Sequence, residues 1–181
     1  ILDVCDLSTD GCYTLGCVPP LGAMDTTICM GASIGAAFGM RKAGLKGRLA
    51  AVIGDSTFFH SGMTGLLDVV YNRGPVTVLV LDNRITAMTG HQQNPGSGKT
   101  LLESETEPAD IATICRALGV KRVAEVDAYN LTQLREVLEA ELDCGEPSVV
   151  VVKGACALAM RRKTGAQPYR VDPEKCKGCT L

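Results

Sequence analysis

The chain has 181 residues, 46% hydrophobic and 21% charged, with a formal net charge of −2. That length suffices for one domain with a sizeable core, and that balance offers no basic surface for nucleic acid. The longest strongly apolar run, residues 28–40, is about a dozen residues, too short to span a bilayer.

The chain opens on what reads as a strand already under way and shows no leader. It is therefore expected to be part of a longer polypeptide. Nine cysteines, an odd number scattered through apolar segments, argue against a disulfide framework and for a reducing cytoplasm. Residues 8–25 are rich in Gly, Pro, Thr and Cys and carry no periodicity. A helix is predicted after Asp25, where Gly31, Gly35 and Gly39 form a smooth stripe that admits close backbone approach, either of the sheet or of a ligand. Cys29 is placed in this helix, and Cys115 in a later one, as small buried hydrophobes.

Four short runs bounded by Gly, Pro or charge read as strands buried on both faces: "AAVIG" (50–54), "VTVLVLD" (76–82), "VAEV" (123–126) and "SVVVV" (148–152). Helical spacing appears between them. Met63, Leu66, Leu67 and Val70 form one set, stopping near Gly74-Pro75. Ile111, Ile114, Cys115 and Leu118 form a second, ending at Gly119. Leu131, Leu134, Leu138 and Leu142 form a third, opened by Asn130 and Gln133 as a capping box. Strands alternating with helices give a three-layer α/β/α sandwich with a mainly parallel sheet. Residues 84–106 form a loop of about twenty residues, long enough to be functional. Lacking apolar periodicity, it is expected to take its order from a ligand.

Ligands of open parallel sheets bind beyond the carboxyl ends of the strands. Asp55 and Asn83 stand at two such ends, in "AVIGDST" (51–57) and "LVLDNRI" (79–85). A carboxylate, an amide oxygen and a nearby backbone carbonyl suit Mg²⁺, which keeps positions for phosphate oxygens. Gly54 permits close approach, and the amides around Ser56-Thr57 are placed to hold phosphate. The same residue types also serve as ordinary turn-formers and caps. The "GSGKT" at 96–100 imitates a phosphate-binding P-loop, but such a loop needs Gly where Gln93 stands, directly after a strand and opening a helix. Lys99 is therefore read as a solvated loop residue, and His60, after two phenylalanines, as structural.

"GDSTFFHSG" (54–62) followed by "LDNRITAMTGHQ" (81–92) resembles the two-part thiamine diphosphate-binding motif, with Ser56 where a Gly is usual. With "DGCYTLGCVPPLGAMDTTICMGASIG" (10–35) and "PSVVVVKGACAL" (147–158), the chain is most similar to the 2-oxoacid:ferredoxin oxidoreductases, and among them to the alpha subunits of the indolepyruvate branch. The resemblance implies Mg²⁺ ligation by Asp55, Asn83 and the Ile85 carbonyl. It implies a diphosphate lined by Gly54, Ser56 and Thr57, and a bent cofactor supported by Met30 and Gly31. Cys12 would approach the cofactor, with a structural thiol as the alternative. Thr89, Gly90, His91 and Gln92 would face diphosphate or substrate. The activating Glu would come from a separate pyrimidine-binding domain of the parent chain, so residues 1–181 alone are expected to be inactive.

The C-terminal "CKGC", Cys176 and Cys179, matches the opening of a ferredoxin-type run. Residues 1–165 are accordingly expected to form the cofactor domain, and 166–181 a linker into an iron–sulfur domain. The implied activity is oxidative decarboxylation of an aryl 2-oxoacid, with a small second subunit, ferredoxin and coenzyme A as partners. A non-enzymatic nucleotide-binding module and a non-oxidative thiamine enzyme are the rival readings; the "CKGC" tail speaks against the latter.

Overall fold

Residues 4–5, 12–164 and 171–176 are described by the structure, a computed structural model. Its elements run β1 (Val4–Cys5), a 3-10 helix (Cys12–Cys17), α1 (Ala32–Lys42), β2 (Ala50–Gly54), α2 (Asp55–Thr57), a π-helical turn (Phe58–Gly62) and α3 (Met63–Tyr71). They continue through β3 (Thr77–Asp82), α4 (Ile111–Ala117), β4 (Arg122–Asp127), α5 (Leu131–Leu142), β5 (Ser148–Lys153) and α6 (Ala157–Thr164). The strands form one sheet in the order β1-β2-β3-β5-β4, and each described pairing is parallel. Parallel neighbours need crossover connections, and helices supply them here.

One face of the sheet presents Ala51, Ile53, Val78, Val80, Val149 and Val151 to Ile34, Phe38, Leu66, Val69, Ile111 and Cys115 from α1, α3 and α4. On the other face Val126, Val150 and Val152 pack against Leu134, Val137 and Leu138 of α5. The three-layer α/β/α sandwich expected from the sequence is thus present. Phe58, fully buried in the π-helical turn, joins the first core. A side chain of that size contributes about 3 kcal/mol through burial.

Particular positions depart from the sequence reading. Strand β4 lies at the sheet edge, and of its residues only Val126 is buried. In α3 Leu67 is exposed, and Val69 takes the buried place beside Leu66. Cys29 precedes α1 and is exposed, because the helix begins only after Gly31. Gly31 itself is needed. Its φ is +83°, and an added Cβ would lie 2.1 Å from the Ser61 hydroxyl. The rest of the stripe makes no close contact: Gly35 and Gly39 are exposed, with nothing near the position of a side chain.

The caps follow their chemistry. Asn130 accepts from the Gln133 N–H at 3.2 Å, and Asp110 from the Thr113 N–H at 2.7 Å. At the amino ends of the strands, Thr77 and Ser148 are buried and bond to each other and to the Glu141 carbonyl. The Glu141 carboxylate in turn accepts two hydrogen bonds from Arg122.

Candidate cofactor site

A cavity of about 470 Å³ opens at the carboxyl ends of β2, β3 and β5. Strand β2 ends in Gly54, after which the chain turns directly into a helix whose first residue is Asp55. Gly54, Asp55, Ser56 and Thr57 form one wall; Asn83, Ile85 and Thr86, from the turn after β3, form another. The two halves of the motif are tied together by a hydrogen bond from Thr86 Oγ1 to Ser56 Oγ at 2.9 Å.

Asp55 is 3% exposed. Burial raises its pKa, with the charge of Asp82 adding in the same direction, against hydrogen bonds from the Ser56 N–H and Asn94 that favour the anion. Those bonds are Ser56 N to Oδ1 at 2.7 Å and Asn94 Nδ2 to Oδ2 at 3.2 Å. Asp82, also buried, has its pKa raised chiefly by burial, while Arg84 opposes the shift. Asn83 Oδ1 accepts from the Ile85 N–H at 3.0 Å, and its Nδ2 donates to the Tyr13 hydroxyl at 3.3 Å. The desolvated Asp55 carboxylate and the Asn83 amide oxygen, which has a lone pair left over, both line the cavity and are hard-oxygen donors. Among the described residues no group of three or more His, Cys, Asp or Glu side chains is placed to hold an ion. An ion here would therefore complete its shell with ligand oxygens or water, which suits Mg²⁺ with a diphosphate.

Of the residues singled out in the sequence, Met30, Gly54, Asp55, Ser56, Thr57, Asn83, Ile85 and Thr89 line this one cavity. Gly31, Gly90, His91 and Gln92 do not. Gln92 is exposed and folds back on Thr89, donating to its carbonyl at 2.7 Å. His91 has φ +66°, and its Nδ1 is buried with no partner among the described residues. Cys12 opens the 3-10 helix, with its side chain outside the described residues, and Tyr13 follows it into the cavity wall. Cys176 is exposed, and Cys179 lies outside the described residues. His60 is exposed on the π-helical turn, whose packing is carried by Phe58 and Phe59.

The sequence reading missed Tyr13, Asp82, Thr86, Asn94 and the Gly154-Ala155-Cys156 turn after β5. Asp82 and Thr86 flanked positions already chosen. Gly154 carried a usable signal, a glycine directly after a buried strand: an added Cβ would fall 2.6 Å from that of Ala128.

The "GSGKT" segment does not open a helix: the next one, α4, begins at Ile111, and Lys99 instead starts a turn bridged to Glu105. Lys99 pairs with Glu103 at 3.1 Å, both exposed. No phosphate cradle forms there, which removes the basis of the nucleotide reading. Polar contacts supply the anchoring that the loop lacks in apolar periodicity. Asn94 is buried, the Thr86 and Gln92 backbones pair, and the Ala109 N–H bonds the Pro95 carbonyl at 2.8 Å.

Comparison with known proteins gives the family. Residues 8–152 match the thiamine pyrophosphate enzyme family at its C-terminal TPP binding domain. The indolepyruvate oxidoreductase subunit IorA of Pyrococcus horikoshii is 43% identical over 94% of this chain, and that of Methanothermobacter marburgensis 40% over 93%. The chain spans only 29% and 27% of their respective lengths. Among solved structures, the 2-oxoglutarate:ferredoxin oxidoreductase of Magnetococcus marinus superposes with a TM-score of 0.66 at 19% identity, covering 71% of this chain and 46% of that one. A putative thiamin diphosphate-dependent enzyme from Mycobacterium smegmatis gives 0.60 at 23%, covering 86% and 29%. These structures share the fold.

Proposed function

The chain belongs to the thiamine pyrophosphate enzymes, as their C-terminal TPP-binding domain, and from that premise we propose that the cavity at the ends of β2 and β3 holds the Mg²⁺–diphosphate of thiamine diphosphate. Asp55, Asn83 and the Ile85 carbonyl are the ion's protein ligands in this reading. Gly54, Ser56 and Thr57 line the diphosphate, and Met30 supports the cofactor's ring end. One observation carries it: the two motif halves, separate in sequence, line a single cavity and are joined there by the hydrogen bond from Thr86 to Ser56.

Bound there, thiamine diphosphate supplies the carbanion chemistry by which the carboxylate of a 2-oxoacid is lost. The chain's own part is to fix the diphosphate, neutralise its charge through the ion and orient the ring. The whole protein is proposed to oxidise an aryl 2-oxoacid such as indolepyruvate, working with a pyrimidine-binding domain, a second subunit, ferredoxin and coenzyme A in the cytoplasm. The name shared by the 43%- and 40%-identical relatives supports the substrate class. Cys176 and Cys179 support an iron–sulfur module beyond residue 165 as the electron exit. Among the described residues no helix is long and apolar enough to cross a membrane.

Calorimetric titration of the full-length protein with thiamine diphosphate and with ATP, each with and without Mg²⁺, tests the site. Mg²⁺-dependent binding of thiamine diphosphate alone is expected. Preference for ATP would overturn the reading.

A further inference from the structure

We propose that Asn94 is a positioning residue for the magnesium carboxylate, carried to it by the loop that follows β3. The inference rests on the reading of Asp55 as a metal ligand and adds to it a residue that the motif does not contain.

Asn94 is 39 residues from Asp55 in sequence, yet it is 7% exposed, with its Nδ2 3.2 Å from Asp55 Oδ2. Its Oδ1 is occupied by its own turn, accepting from the Gly96 N–H at 2.9 Å, so the amide has a fixed orientation with a donor facing the carboxylate. The turn is held in place. The Ser97 hydroxyl donates to the Asn94 carbonyl at 2.8 Å, and a Cβ added to Gly96 would stand 3.2 Å from the Phe59 ring. Asp55 Oδ1 is held from the other side by the Ser56 N–H. The carboxylate is thus gripped at both oxygens by N–H donors, one local and one delivered by a distant loop.

The chemistry of the donor matters. A Lys or Arg at this place would neutralise Asp55 and compete with the ion. A neutral amide orients the carboxylate, favours its ionised form, and leaves on each oxygen a lone pair for Mg²⁺. Removing such a partner behind a metal ligand typically weakens metal binding about 10–100-fold. Without Asn94, one oxygen of Asp55 loses its donor and the group is free to turn from the ion's place.

The test uses the full-length protein and two measurements by calorimetry: the Mg²⁺ concentration giving half-maximal thiamine diphosphate binding, and the cofactor affinity at saturating Mg²⁺. Asn94→Ala, with Asn94→Ser as the milder variant should the first fold poorly, is expected to raise the Mg²⁺ requirement about tenfold or more. Affinity at saturating Mg²⁺ should recover towards that of the unsubstituted protein. Ser97→Ala, which loosens the same turn but leaves the amide on Asp55, should shift the requirement less than about twofold by the same comparison. An unchanged Mg²⁺ requirement in the Asn94 variants would overturn the proposal. So would a loss that saturating Mg²⁺ does not restore and that Ser97→Ala shares, because that pattern belongs to loop structure. If the unsubstituted protein shows no Mg²⁺-dependent binding, the assignment of Asp55 itself falls, and this inference with it.

Discussion

Asp55 is the only charged group proposed as a protein ligand to the ion, and it is held nearly out of solvent. Asp55→Ala should therefore weaken Mg²⁺-dependent thiamine diphosphate binding by more than the roughly 10–100-fold expected when a partner behind a ligand is lost. Retained affinity in a calorimetric titration would reject the metal assignment. Lys99→Ala, by contrast, should leave cofactor affinity unchanged, since it deletes only an exposed, solvent-screened ion pair with Glu103. Cysteine chemistry divides just as sharply. Cys115 is fully buried in α4, and burial pushes its thiol pKa up to about 12. It should resist alkylation at mildly alkaline pH while Cys17, Cys29 and Cys176, all exposed, react. Peptide mass spectrometry after iodoacetamide treatment reads this directly, and rapid labelling of Cys115 in the folded protein would contradict the packing of α4.

Among the elements, glycines give opposed expectations. Gly39 lies in α1 with open space where a side chain would go, so Gly39→Ala should stabilise this chain by about 0.5–1 kcal/mol. Gly74 ends the turn after α3, where a Cβ would meet the Phe38 ring at 2.4 Å. Gly74→Ala should destabilise by about 1–3 kcal/mol, the usual penalty of overpacking. Urea denaturation of both variants decides the pair, and equal effects would mean that α1 and the turn after α3 are misplaced. Helix α4 offers a test in pH. Asp110 caps it, and the hydrogen bonds from Thr113 hold its carboxyl below the ordinary carboxylate range. A depressed folded pKa contributes stability above the unfolded value, and that contribution is lost as pH falls through the folded one. Asp110→Ala should cost about 1 kcal/mol at neutral pH and much less once carboxylates are protonated. A penalty that does not shrink on acidification would count against the charged cap. The strands and caps were legible because their signals are local: β-branched runs such as Ser148–Val152, and Asn130 three residues before Gln133. Cys29 and Leu67 were misplaced for a matching reason, since periodicity fixes neither where a helix starts nor which of two adjacent apolar residues meets the sheet.

Over the whole molecule the candidate site was legible where a motif spelled it, at Asp55, Ser56 and Asn83, which line one cavity. It was hidden where the fold alone assembles it. Tyr13, Asn94 and Gly154 come from three separated segments, and no spacing relates them. Because activation of the cofactor is expected to need a carboxylate from another domain, residues 1–181 alone should show no oxidation of indolepyruvate with a dye acceptor, and turnover would overturn that division of labour. The register also aligns two different ends of the sheet. Ala50, Thr77, Ser148 and Arg122 fall in one row at its foot, where Thr77, Ser148, Glu141 and Arg122 interlock and Arg48 clasps Asp143. The cavity opens at the opposite end, on turns that contribute little to this foot. A chain clamped at one end and open at the other is well suited to diversification: variants at Met88, Tyr129 or Leu158 should change what the pocket admits long before they change whether the domain folds.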